Sequence, residues 1–343
     1  YIHAGLFRNP IQLENLKGNL SWEKTPDNIL RISTDQLEAV TPDLATASRL
    51  LIEIPEEGKT LVDIQTDFQD GNGLNAGLYY PVGILGKTLT EWMDNSIISG
   101  QVTSGSFILK GPIEDFPYSK THNGHFEVLF NVEDIILDYV SDWPRLEEVA
   151  AQVRFHNNSL SIDVANAKIL DSEITGTVAR IESLKPLSPI RISGSIFGPA
   201  SDNLRILSET PLKEDFSKIA SSLSITGDSR LAIDFQIPLQ NTGKHKLDGS
   251  LIFQQNNLHL KDSPVKLDKV TGRLNFDLDG LESKGLQARL LNTPVDIKIS
   301  HDASSTTHIK SQLDLHIDQI NKLVGSIPTE FIAGKTLWNP VSY

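Results

Sequence analysis

The sequence predicts a mainly β chain of antiparallel meanders, stacked as repeated modules into an elongated body with a few short helices. Three observations carry this. First, apolar residues alternate with period two in Phe126-x-Val128-x-Phe130, Val149-x-Ala151-x-Val153-x-Phe155, Leu160-x-Ile162-x-Val164 and Leu231-x-Ile233-x-Phe235-x-Ile237. The same holds for Leu274-x-Phe276-x-Leu278, Leu286-x-Ala288-x-Leu290, Val295-x-Ile297-x-Ile299 and Leu313-x-Leu315-x-Ile317. Successive strand side chains point to opposite faces, so each segment presents one apolar face. Second, "FHNNS", "LDG", "NTP" and "NTGKHK" are short turn signals, and tight links favour antiparallel neighbours. Third, an ungapped offset of 121 pairs Leu146 with Leu267, Val153 with Leu274, Phe155 with Phe276, Leu160 with Leu281, Ile169 with Leu290, Ile174 with Val295 and Val178 with Ile299. Alternation alone produces isolated coincidences, but a constant register across several strands and turns marks two copies of one module.

In chain order, residues 1–82 read as a first β segment. Residues 83–96 read as a helix, because Leu85, Leu89, Trp92 and Met93 fall on one helical face after the turn-forming Gly83 and Gly86. Residues 97–200 form the first meander module. Residues 201–223 read as a short helical segment: "SDNLRILSET" opens with capping residues, and Phe216, Ile219 and Leu223 share one side of the next stretch. Residues 224–317 form the second module. Residues 318–343, with "DQINKLVGSI", read as a C-terminal helix or extension continuing into further chain.

Composition narrows the function. The formal net charge of −13 repels phosphate polyanions, which argues against nucleic acid as a partner. With no cysteine there is neither a disulfide nor a thiolate metal site. No apolar run reaches the roughly 18 to 20 residues that span a bilayer. The first residue is Tyr1 rather than methionine, and the chain reads as an excerpt of a longer protein.

The motifs that could carry chemistry fail on spacing. Gly86-Lys87-Thr88 resembles the end of a phosphate-binding loop, but the position that needs the first glycine is Pro81, which has no N–H and a fixed φ. His122 and His125 with Glu127 offer metal-ligand types, yet they flank the hairpin signal Asn123-Gly124, where histidines are ordinarily solvated. "DFQDGNGLN" lacks the alternating oxygens and closing glutamate of a calcium loop. Asp142, Glu147 and Glu148 surround a turn, where carboxylates are usually wet. No catalytic residue, metal or cofactor is expected.

One set of residues works as a signature instead. Tyr80-Pro81, Leu89, Trp92, Ile98, Gly100, Gly105, "GPIEDFPY" (111–118), Gly124-x-Phe126 and "DYVSDWPRLEEV" (138–149) follow in order. With the strand unit from Gly249 to Ser300, this resembles the AsmA-like envelope proteins, in particular their large YhdP-type members. Asp115-Phe116-Pro117-Tyr118, followed by Asp142-Trp143-Pro144, is the most specific part.

The resemblance implies a sheet curled into a groove with an apolar interior. The chain would be a segment of a periplasmic bridge that carries phospholipid between inner and outer membranes, tethered to the inner membrane by an anchor outside this excerpt. Outer-membrane and periplasmic proteins are further candidate partners. The implied lining set is Phe126, Val128, Phe130, Val153, Phe155, Leu160, Ile162, Leu251, Phe253, Leu274, Phe276, Leu278, Leu286, Leu290, Val295, Ile297, Ile299, Leu313 and Leu315. Alternation by itself favours closed packing, because most one-sided strands bury against another layer. A structural or regulatory β-scaffold without a conduit is the alternative function.

Overall fold

A computed structural model describes residues 9–79, 87–140, 143–184, 188–209, 221–238, 245–261, 263–302, 307–316, 319, 323 and 335–338. The elements are β1 Asn15–Gly18, β2 Ser21–Lys24, β3 Leu30–Val40, β4 Ala45–Ile54 and β5 Leu61–Asn72, then helix α1 Lys87–Ser96. There follow β6 Ile97–Pro112, β7 His125–Leu137, β8 Leu146–His156, β9 Ser159–Ile169, β10 Ser172–Ile181 and β11 Pro189–Pro199, then helix α2 Ala200–Glu209. The chain continues through β12 Leu223–Thr226, β13 Asp228–Pro238, β14 Lys246–Leu260, β15 Lys266–Asp277, β16 Leu281–Leu290, β17 Thr293–His301, β18 Thr307–His316 and β19 Lys335–Trp338.

The expected fold class holds. β1 to β18 form one antiparallel sheet in which neighbours in sequence are neighbours in space, and β19 adds to β18. Two local departures leave the meander intact. β1 and β2 share β3 as their partner, and β11 pairs with β13 while the short β12 lies against the far end of β14. Among the described residues, β1 and β2 bond only to β3 and β19 only to β18, so the sheet is open.

Cross-strand register collects the apolar positions on one face, here called inner. One continuous row of directly opposed residues runs Phe68, Gly105, Phe130, Val153, Ile162, Ala179, Ile192, Phe235, Leu247, crossing nine strands from β5 to β14. At roughly 4.8 Å per strand, this row is about 38 Å long. Not one member carries a polar side chain.

Period-two alternation does not persist to the strand ends. Register shifts occur between Thr34 and Leu37, Val132 and Ile135, Gln254 and Asn256, and Ser283 and Leu286. Residues with left-handed backbone mark several of the bulges, among them Asp134, Glu148, Gln255 and Lys269. An extra residue at a bulge flips the alternation and bends the strand, so the spacing of inner positions there is three rather than two. The repeat is visible in these irregularities. Asp134 and Gln255, Glu148 and Lys269, and the hairpin residues Leu170 and Leu291 all have positive φ and stand at the offset of 121.

Burial is uneven along the sheet. In β3 and β4 nearly every inner side chain is partly exposed, Thr34 being buried, and at the edge Leu16 and Trp22 are 56% and 72% exposed. From β7 to β18 one core runs unbroken through Val132, Ile169, Ile196, Leu231, Leu251, Val270, Leu286 and Val295. Helix α2 supplies part of its cover: Ala200, Ile206 and Leu207 are buried in the same cluster. Leu323 packs on it too, and Gln319 donates to the Leu291 carbonyl and the Thr293 hydroxyl at 3.1 Å.

The helical expectations fare differently. Helix α1 lies within residues 83–96, but Trp92 is 42% exposed, its indole N–H donating to the Tyr139 carbonyl at 2.9 Å rather than its ring entering a core. Gly83, Leu85 and Gly86 lie outside the described residues, as do Phe216 and Ile219 and most of "DQINKLVGSI". In the "DFQDGNGLN" stretch, Asp67 to Asn72 finish β5 and a 3-10 helix, Gly73–Leu78, follows, capped by Asn72.

Candidate functional site: the inner apolar face

Among the described residues, the inner face is an extended and predominantly apolar surface. Of the proposed lining set, Phe126, Phe155, Leu160, Leu251, Phe253, Phe276, Leu286, Leu290, Val295, Ile297 and Leu315 are buried there. Val128, Phe130, Val153, Ile162, Leu274 and Ile299 are half-buried on the same face. Leu278 stands apart: it lies in the β15–β16 hairpin beyond the last paired residue and is 36% exposed. The side chain of Leu313 lies outside the described residues.

Residues 1–82 are expected to be β, but the proposed lining set takes no residue from the first five strands. Ile32, Ile52 and Val62 oppose one another across β3, β4 and β5, and Leu50 opposes Ile64. Thr34, Thr46, Ser48 and Thr66 share that face and break the apolar alternation, which hides these strands in sequence. Missed as well were Ile174, Ile192 and Ile196, on the inner face of β10 and β11. In β11 the period of two is intact, because its pairing with β13 has no register shift, but Gly194 takes the inner place between Ile192 and Ile196 and interrupts the apolar signal.

Two inner glycines make room for aromatic rings. Gly105 faces Phe68 and Gly249 faces Phe276 across their strand pairs, and each ring covers its glycine so closely that an added Cβ would sit 2.3 Å and 2.2 Å from ring carbons. The rings thus lie flat along the face instead of standing up from it.

The signature motifs build the rims of this face. After β6, Asp115 accepts from Lys59 Nζ at 2.6 Å and from Asn123 Nδ2 at 2.7 Å, while Glu114 accepts from the Thr60 N–H at 3.0 Å. The Lys59 ammonium, then Asn123, holds the Asp115 carboxyl below the usual carboxylate range. This latch folds Tyr118 inward, where it is fully buried with Phe116 edge-on to Phe126 at 5.1 Å. Gly111, at φ +124°, and Gly124 admit the Tyr118 ring, and a Cβ on Gly124 would sit 2.4 Å from it. At the opposite rim Trp143 stacks edge-on to Tyr139 at 5.3 Å, and Arg145 pairs with Asp138 at 3.2 Å.

The hydrolytic and metal alternatives resolve differently. Asp142 lies outside the described residues; Glu147 and Glu148 belong to β8, with Glu148 bound to Lys168 at 2.7 Å. His125 and Glu127 sit on the outer face with His156 rather than with His122. Among the described residues, no helix is long and apolar enough to cross a membrane.

Comparison with known proteins agrees with the signature. The family model described as YhdP protein matches residues 3–341. A curated relative, the intermembrane phospholipid transporter YhdP of Escherichia coli (strain K12), is 23% identical over 300 residues, covering 86% of this chain. That stretch is 23% of the relative's own length. No solved structure matches. With its sheet, its signature turns and a family match over nearly its whole length, the chain belongs to the YhdP protein family.

Proposed function

We propose that this chain is a segment of a periplasmic bridge whose inner face carries phospholipid acyl chains between the two membranes, with the polar headgroup left in water. The observation that carries the reading is the unbroken apolar row from Phe68 to Leu247 on an open sheet, accessible at its β1 to β5 end. An acyl chain drawn into water costs about 0.8 kcal/mol per CH₂, hence on the order of 13 kcal/mol for about 16 carbons. A continuous apolar face removes most of that barrier at every point of the path. Such transport needs no catalytic group and no cofactor, and an anchor to the inner membrane would belong to the rest of the protein.

In this reading residues 1–82 and 97–200 form the open trough, and the second module, 224–317, continues its apolar face under the cover of α2 and Leu323. The proposed lining extends to Ile32, Leu50, Ile52, Ile64 and Phe68. A specific observation favours a second, scaffold-like role for the later strands: α2 and Leu323 already occupy that part of the face. Native mass spectrometry with lipid extraction tests the proposal on chain purified from a Gram-negative host. Co-purifying phospholipid that disappears in a folded Ile52→Asp, Ile64→Asp variant is the expected result. A lipid-free wild-type chain that also takes up none from phospholipid vesicles would overturn it.

A further inference from the structure

The outer face of the β7–β8 pair carries a second group of residues with different chemistry. His125 and Glu127 are two apart on β7 and so point to the same side, opposite to Phe126 and Val128. Register sets Glu127 directly against His156 at the end of β8. The three residues are half-buried, and their ligand atoms all lie within 4.8 Å of one another. The imidazole centroids are 5.3 Å apart, and His125 Nε2 is 4.0 Å from Glu127 Oε2. Arg154 is the competing neighbour: its Nε donates to Glu127 Oε2 at 2.9 Å, and its second contact goes to that same oxygen. A cation there shares the carboxylate with Arg154, which holds one of its two oxygens.

We propose that His125, Glu127 and His156 form a binding site for a borderline divalent transition metal of the zinc class. Two imidazoles and a carboxylate suit such an ion, whereas calcium and magnesium want oxygen ligands. Ligands at about 2.0–2.1 Å from a tetrahedral metal sit about 3.3 Å from each other, so the trio closes by roughly 1.5 Å at its widest. Rotation of the two half-exposed imidazoles covers that distance without moving the backbone. Three protein ligands leave a fourth position open to water or to a donor from a partner.

The sheet itself supplies a comparison. At the offset of 121 the corresponding positions are Lys246, Asp248 and Asp277, with Asp248 facing Asp277 as Glu127 faces His156. The meander thus tolerates unrelated residues there, and the imidazole pair is not demanded by folding. The site stands independently of the lipid reading, since it lies on the other face of the sheet.

The test is a zinc titration of the untagged, chelator-stripped chain against a chromophoric competitor. One saturable zinc is expected per chain. His125→Ala and His156→Ala should each weaken it by at least the 10- to 100-fold that loss of an outer-shell partner costs, while His122→Ala leaves it unchanged. Far-UV circular dichroism checks that each variant is folded, and His125→Gln serves if an alanine variant is not. Absence of saturable zinc, or undiminished binding in folded His125 and His156 variants, would overturn the proposal.

Discussion

Strands β3 to β5 and strands β13 to β17 obey the same pairing rules and yet do different things with their apolar side. In the later strands the inner residues are sealed: Leu231 and Val270 are 0% exposed, and Leu247 is buried nearly as deeply. In the earlier strands Ile32, Leu50, Ile52 and Ile64 stay partly exposed, and Trp22 at the edge is largely in water. The difference lies in cover, not in the strands. Helix α2 and Leu323 pack on the later inner face. One-sided alternation therefore fixes which face is apolar, and the insertions between strands decide whether that face is closed or left open.

The sharpest way to break this comparison is to place one charge in each region. Leu231→Asp buries an unpaired carboxylate and should cost more than about 3 kcal/mol, enough to unfold the second half in urea titrations. Ile52→Asp should change stability by no more than about 1 kcal/mol, because its carboxylate reaches solvent. Equal losses in the two variants would mean that the regions are equally closed.

The paired glycines give a finer contrast. Gly249→Ala forces the Phe276 ring off its place inside the core and should cost about 2 kcal/mol. Gly105→Ala meets the Phe68 ring, which is half-exposed and can swing aside, so it should cost less than about 1 kcal/mol despite the nearby Phe130 Cβ. Both are read by chemical denaturation.

The cover itself can be loosened. Asn203, on α2, donates to the Ser229 carbonyl at 3.2 Å and to its hydroxyl at 2.8 Å, all in the buried interior. Asn203→Ala strips those partners and should cost about 1–2 kcal/mol. On the proposed account it should also raise hydrogen exchange in β12 and β13 without affecting β3 and β4.

The smallest effect belongs to the rim. The folded-state pKa of Asp115 is depressed, first by the hydrogen bond from Lys59 and then by that from Asn123. Its contribution is fully present above the unfolded value near ~3.9 and is lost as pH falls through the lower folded value. Asp115→Asn should therefore lower the melting temperature slightly at pH 7 and lose that deficit below about pH 4. The charge lies at the surface, so salt should shrink the effect further.

How much of this was legible in the sequence follows from the same physics. β7 to β9 and β13 to β17 announce themselves by alternation, because Phe126, Val128, Phe130 and their counterparts are all strongly apolar. β3 to β5 do not, since Thr34, Ser48 and Thr66 take inner places and satisfy their hydroxyls locally, Thr34 on the Gln36 carbonyl and Ser48 with Thr66 at 2.9 Å. The repeat was visible as an offset, but its bulges were not: an apolar spacing of three marks Asp134, between Val132 and Ile135, whereas at Gln255 the polar Asn256 follows Phe253 at that spacing. The grouping of His156 with His125 and Glu127 could not be read at all, because it depends on cross-strand register. Closure by α2 was equally hidden, for a short capped helix does not say which face it will cover.

The most direct measurement is photo-crosslinking in cells, with a benzophenone amino acid placed singly at Ile52, at Glu53 on the opposite face, and at Leu251 in the sealed core. The account predicts phospholipid adducts at Ile52 and none at Glu53 or Leu251. Adducts at Glu53 as frequent as at Ile52, or none at any inner position of β3 to β5, would contradict an open apolar path.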